Sequence, residues 1–235
     1  MAAFGLHWDD GVYYQSQRLD DYESYLAKLQ ARQVTYRCNC SRKSLVELSA
    51  EGSKLGIYPG ICRNKTIPAN EPYAIRLKTQ STTFEFQDGL QGLISRNLAV
   101  QDGDYILKRK DGIIAYQFAV VIDDYLQDIN HVVRGCDLLV ETPKQIYLQH
   151  LLGFSTPTYQ HVPVIVDQHG HKLSKQTLAT AVDTQAPNLV LFDLLVLLKQ
   201  NPPNDLLGAT VNELLKWAVA NWRPDALVLC RAISP

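Results

Sequence analysis

Tyr116-Gln-Phe-Ala-Val-Val-Ile-Asp-Asp-Tyr-Leu126 is followed five residues later by His131-Val-Val-Arg-Gly135, and then by Thr142-Pro-Lys-Gln-Ile-Tyr-Leu-Gln-His-Leu-Leu-Gly153. Phe118 to Leu126 reads as helical or buried, and His131 to Arg134 reads as a short strand ending at Gly135. The third piece predicts a helix with a defined start. Thr142 stands as the N-cap, Pro143 as the first helical residue and Gln145 as the third, a capping-box arrangement that satisfies free N–H groups. Leu148, Leu151 and Leu152 give that helix a buried face, and Gly153 ends it. Strands mixed with helices in this way imply an α/β fold, not a helical bundle or a sandwich.

The flanks continue the pattern. Upstream, Tyr22, Tyr25, Leu26 and Leu29 have the spacing of an amphipathic helix that begins near Leu19. Tyr73 to Lys78 and Thr82 to Phe86 alternate with period two, as strands do. Asp111-Gly112 between Tyr105-Ile-Leu107 and Ile113-Ile-Ala115 is a hairpin signal. Downstream, Val162 to Val166 predicts a buried strand, and Gln168-His-Gly170 turns the chain into His171-Lys-Leu-Ser-Lys175. The remainder predicts helices. Asn188 to Lys199 is apolar nearly all round and so expected to be largely buried. Thr210 to Asn221 carries a second capping box, Thr210 with Glu213, and packs through Leu214, Leu215 and Trp217.

Composition narrows the function. The 235 residues contain 46% hydrophobic and 20% charged side chains, values of a globular chain with a real core. Lys and Arg number 23 against 24 Asp and Glu, so binding of a polyanion by bulk charge is excluded and any nucleic-acid contact is local. Seven Lys or Arg between Arg32 and Lys65 face only Glu47 and Glu51, which suits either a solvated basic surface or a phosphate-facing patch. The stretch Leu189 to Leu198, broken by Asp193, falls far short of the ~20 residues of a membrane span. Met1-Ala-Ala-Phe4 shows no basic-then-apolar leader, and the expectation is a cytoplasmic protein.

Three groups of residues could carry chemistry. Cys38, Cys40 and Cys62 offer three thiolates within 25 residues, and Tyr58, four residues before Cys62, could add an oxygen donor. Zn²⁺ favours four tetrahedral ligands with sulfur among them, while buried unligated cysteines are the alternative. Lys172-Leu-Ser-Lys175 sets a hydroxyl, Ser174, between two ammonium groups, suited to charge developing on a phosphate or to an ordinary surface. Arg134 at a strand terminus, with Tyr116 upstream, suits bidentate carboxylate capture; pairing to Asp137 or Asp123 for structure is equally open.

Taken together, Tyr116–Asp124, His131–Leu139, Thr142–Gln145 and Lys172–Gln176 succeed one another in the order and spacing of class I glutamyl-tRNA synthetases. Lys172 to Gln176 resembles the class I KMSKS loop, which holds ATP phosphates. Cys38, Cys40, Tyr58 and Cys62 resemble the zinc ligands of the short branch of that family, the glutamyl-Q tRNA(Asp) synthetases. That branch lacks the anticodon-binding region, and this chain runs only 59 residues past Gln176. The resemblance extends from Phe4 to about Trp222.

The resemblance implies a Rossmann-type class I catalytic domain over 1–180, a zinc-binding insert at about 36–64 and a helical C-terminal segment over 181–235. It implies activation of glutamate by ATP with Mg²⁺ and transfer to the queuosine base of tRNA(Asp), by a monomer with a structural Zn²⁺. Tyr116 and Arg134 would bind the glutamate. Lys172, Ser174 and Lys175 would bind ATP, with Lys175 catalytic. The family's first strand, HIGH-type motif and Arg-Ile-Glu-Asp segment have no counterpart in these residues. The opening, Phe4-Gly-Leu-His-Trp8 through Tyr14-Gln-Ser-Gln-Arg18, matches the family's segment immediately C-terminal to those three features. The expectation is therefore an N-terminally truncated domain with impaired adenylation, the alternative being a non-catalytic RNA-binding relic.

Overall fold

A computed structural model describes residues 1–50, 57–68, 70–174 and 180–234. In chain order its regular elements are α1 (Leu19–Ala31), β1 (Thr35–Cys38), α2 (Arg42–Ala50), β2 (Ala74–Leu77), β3 (Thr83–Asp88), β4 (Gly92–Asn97), α3 (Leu98–Gln101), β5 (Ile106–Lys108), α4 (Tyr116–Leu126), β6 (His131–Gly135), α5 (Thr142–Leu152), β7 (Thr158–Val162), β8 (Val164–Ile165), α6 (Pro187–Leu197), α7 (Val211–Asn221) and β9 (Ala232–Ile233). Among the described residues no helix is long and apolar enough to cross a membrane.

The strands form three sheets. One is antiparallel in the order β1-β2-β5; a second runs β4-β3-β7-β6; the third pairs β8 with β9. The second sheet positions the site, because β6 and β7 are parallel and in register, with Arg134 beside His161 and Gly135 beside Val162. The main core lies where α1, α4 and α5 meet the sheets. Tyr22, Leu26 and Leu29 of α1 meet Phe118 and Ile122 of α4 and Leu148 of α5, all fully buried or nearly so. Each such side chain contributes roughly 1.5–3 kcal/mol.

The amphipathic helix starts at Leu19 as its spacing predicts. The Asp-Gly hairpin forms as well: the Arg109 N–H donates to Ile113 at 2.8 Å and the Ala115 N–H to Leu107 at 2.8 Å, with Gly112 at φ 82°. The capping box expected at α7 is present: the Thr210 hydroxyl accepts from the Glu213 N–H and Glu213 accepts from the Thr210 N–H.

Three expectations are corrected. Thr142 does not cap α5. It is itself helical (φ −56°, ψ −43°), because a 3-10 turn over Cys136–Glu141 feeds the helix and Leu139 already accepts the Thr142 N–H. The run Val162 to Val166 is not one strand. Pro163 has no N–H to give a ladder, so β7 ends at Val162 and β8 joins another sheet. Finally, α6 is not largely buried. It packs against α7 and the N-terminal turn bearing Phe4 through Leu191, Phe192 and Leu195, while Leu189 and Val196 stay 45% and 50% exposed, since these neighbours cover only part of its surface.

Candidate active site and metal centre

Arg134 sits at the end of β6, and parallel pairing brings His161 of β7 to its side. Its Nε donates to His161 Nε2 at 3.0 Å, and its Nη2 donates to Thr142 Oγ1 at 2.7 Å and Gln145 Oε1 at 2.8 Å. The Tyr159 ring lies 5.4 Å from the guanidinium carbon. Neither carboxylate considered for it is its partner. Asp123 accepts from Tyr22 Oη at 2.8 Å and Gln15 Nε2 at 2.8 Å and pairs with Arg18, while Asp137 pairs with Lys172. Arg134 is thus held by three neutral acceptors that fix its orientation, and the carboxylate that feels its charge, Asp124, makes no hydrogen bond to it; burial pushes Asp124 up to about 6 while Arg134 pulls it down. The Nε/Nη2 edge is occupied, and a carboxylate would be met by Nη1 instead of by a two-pronged fork.

Behind His161 stands Asp88, fully buried with it, its Oδ2 2.6 Å from His161 Nδ1. Burial alone would raise the Asp88 carboxyl, but bonds from the His161 ring and from the Gln91, Leu90 and His161 N–H groups hold it below the usual carboxylate range. Burial lowers the His161 imidazole below its ordinary value despite Asp88, and the Arg134 charge adds to the lowering. A neutral ring results, with its proton on Nδ1. Tyr116, at the first position of α4, is 52% exposed. Its neighbour Gln117 accepts from Gln145 Nε2 at 2.6 Å, so the same Gln145 links Arg134 to the start of α4.

The amine loop approaches this corner from β8. Asp167 Oδ1 accepts from the His169 and His171 N–H groups at 2.9 and 2.8 Å, and Gly170 adopts φ 79°, closing a tight turn that bridges Val166 to Lys172. Lys172 Nζ reaches Asp137 Oδ2 at 2.6 Å, three residues beyond Arg134. Gly135 permits this approach, because a Cβ there would lie 2.5 Å from Asp137 Oδ1. Ser174 is the last residue described before Lys175, which lies outside the described residues.

The three cysteines converge. All three Sγ atoms lie within 4.8 Å of one another; Cys40 and Cys62 Sγ are 3.4 Å apart, and Tyr58 Oη is 3.5 Å from Cys38 Sγ and 3.6 Å from Cys40 Sγ. Ligand atoms about 2.3 Å (sulfur) and 2.0 Å (oxygen) from a tetrahedral Zn²⁺ are themselves about 3.5–3.8 Å apart. The set fits that ion, and four protein donors leave no open position. Burial pushes the Cys38 thiol up, but the Tyr58 hydroxyl and the Arg76 guanidinium outweigh it and bring it down to about 7. Burial and the neighbouring thiols push Cys40 up to about 11, and burial with the three sulfurs raises Tyr58 well above its ordinary value.

The basic stretch around this module is partly spent on structure. Arg32 donates to the Leu151 carbonyl, Arg37 stacks 4.4 Å from the Tyr73 ring, and Arg63 pairs with Asp104. Lys54 lies outside the described residues. His161 and Asp88 escaped the sequence reading, and Thr142 and Gln145 entered it without a link to Arg134. The first has no spaced histidine partner, and Thr142 and Gln145 fitted a capping pattern equally well.

Residues 1–198 match the family described as tRNA synthetases class I (E and Q), catalytic domain. A glutamyl-Q tRNA(Asp) synthetase of Thiobacillus denitrificans is 45% identical over 222 residues, 94% of this chain and 74% of that protein. One from Aromatoleum aromaticum is 44% identical over 94% of this chain and 70% of its own length. The structure of a glutamate tRNA ligase from Elizabethkingia meningosepticum superposes with a TM-score of 0.74 at 22% identity, over 99% of this chain and 55% of that one, a likeness of fold. The chain therefore belongs to the class I tRNA synthetase (E and Q) catalytic-domain family, in its glutamyl-Q tRNA(Asp) synthetase branch.

Proposed function

We propose that this chain activates glutamate with ATP, with impaired efficiency in this form, and transfers it to the queuosine base of tRNA(Asp), as a cytoplasmic monomer. The observation that carries this reading is Arg134, an arginine whose hydrogen-bond partners among the described residues are the neutral His161, Thr142 and Gln145, three residues from the carboxylate that anchors Lys172. A positive charge fixed by neutral partners suits a carboxylate ligand. The relatives' names supply the substrate.

In the first step a carboxylate oxygen of glutamate attacks the α-phosphorus of ATP. The bond from that phosphorus to the bridging oxygen breaks, and pyrophosphate leaves with the electron pair. Arg134 and Tyr116 hold the glutamate. Lys172, Ser174 and Lys175, with Mg²⁺, offset charge on the phosphates. In the second step a hydroxyl of the modified base attacks the adenylate carbonyl, the acyl–oxygen bond to AMP breaks and an ester forms. Cys38, Cys40, Tyr58 and Cys62 would hold a structural Zn²⁺ that shapes the basic insert.

Glutamate-dependent exchange of labelled pyrophosphate into ATP tests the first step. The expected result is exchange with glutamate, lowered roughly 30-fold or more in Arg134→Ala, the scale of losing a charged anchor. Exchange indifferent to glutamate, or to Arg134, would overturn the assignment. No exchange, with tRNA still bound, would replace it by the non-catalytic RNA-binding reading.

A further inference from the structure

Arg76 lies in the fully buried strand β2 and is itself only 7% exposed. Among the described residues it has no carboxylate partner. The Asp104 carboxylate nearby is spent on Arg63, Tyr36 and Thr79, and Arg76 Nη1 donates to the Asp104 backbone carbonyl at 2.7 Å. Its Nε has no hydrogen-bond partner at all. A guanidinium buried this deeply without a counter-charge carries a penalty of several kcal/mol, so a compensating negative charge is to be sought next to it. Its neighbours on that side belong to the metal module: the guanidinium carbon lies 3.8 Å from the centre of the Tyr58 ring, and the guanidinium also reaches the Cys38 thiol.

Three thiolates on one dication leave one surplus negative charge, and two if the phenol proton also leaves. Among the described residues Arg76 is the one arginine or lysine buried in the fold, and it stands against this module. We propose that Arg76 is the counter-charge of the metal module: it balances the excess negative charge of Cys38, Cys40, Cys62 and Tyr58 on a bound Zn²⁺, and its stacking holds the Tyr58 ring with its hydroxyl toward the sulfurs. The proposal rests on the metal reading of those four residues. Arg76 is a positioning residue here and touches no metal. It also ties the insert to the body of the fold, since β2 is the middle strand of the sheet formed by β1, β2 and β5.

The role differs from simple packing in what it does to loaded and stripped protein. Zinc affinity of the full chain is read by competition with a chromophoric chelator, and melting is followed with and without zinc. Arg76→Gln is expected to bind zinc 10–100-fold more weakly, the usual scale for an outer partner of a metal site (~10–100-fold). It should lower the melting temperature of the loaded protein much more than that of the stripped protein. Arg76→Lys, which keeps the charge, should recover most of the affinity, and it covers the case in which the glutamine variant does not fold. Unchanged affinity in Arg76→Gln, equal loss of melting temperature in both forms, or an Arg76→Lys as weak as the glutamine variant would each overturn the proposal. Absence of zinc binding in the unsubstituted chain would instead remove the metal reading on which it stands.

Discussion

Because His161 Nε2 accepts the Arg134 bond, the ring's one proton sits on Nδ1 and goes to Asp88. The imidazole passes orientation to the guanidinium but no neutralising charge, which a carboxylate in the same place would not do. Removing the ring in His161→Ala leaves Asp88 and Arg134 each short of a partner, and the expected cost is about 3 kcal/mol in urea unfolding. The pH dependence has a definite sign. The folded imidazole titrates below its ordinary 6.5, so below that pH the unfolded chain binds a proton that the fold refuses. Stability should therefore fall as pH drops from about 6.5 toward the lowered value, and His161→Ala should flatten that slope. Arg134 itself was legible as a cation at a strand end, but its partners were not. His161 is reached only through strand register, and the hydroxyl and amide of Thr142 and Gln145 suited a helix cap as well as they suit an arginine.

At the scale of elements, local periodicity was the best guide. α1, β3, the Asp-Gly hairpin and α7 arise from the spacing of their apolar residues and from their turn or cap chemistry, whereas β2 is buried at every position instead of alternating. The two threonine-led helices separate cleanly. Thr210→Ala removes a cap that is made, and should lower stability by about 1 kcal/mol by thermal melting. Thr142→Ala removes no cap, and its effect should appear in glutamate-dependent exchange through the lost Arg134 bond. Where expectation failed, the cause was long-range. A helix apolar on all sides predicts burial only if neighbours exist on all sides, and α6 has α7 on one of them. Strand β9 is two residues long and carries no period to read.

Over the whole molecule, the cysteine-bearing insert is fastened to the body through Asp104. Its carboxylate receives Tyr36 from β1, Arg63 from just beyond Cys62, and Thr79, and the adjoining Gly103 bridges to Tyr58. Gly103 adopts φ 67°, and a Cβ there would stand 2.6 Å from the Tyr58 carbonyl oxygen, so the ligand-bearing loop would have to shift. Gly103→Ala should cost roughly 1–3 kcal/mol and weaken zinc binding together with overall melting, as a paired chelator and melting measurement would show. None of this fastening is visible in spacing alone, since it joins positions 25 to 68 residues apart. The seam between β8 and β9 has a different bearing. It consists of Val164 beside Ala232 and Ile165 beside Ile233, flanked by the Val166 N–H bond to Ile233, and from it the backbone runs directly into the turn that presents Lys172. The tail and the hairpin that carries Lys172 should accordingly behave as one unit in deuterium exchange: trimming the former is expected to slacken the latter while the aromatic interior goes on as before.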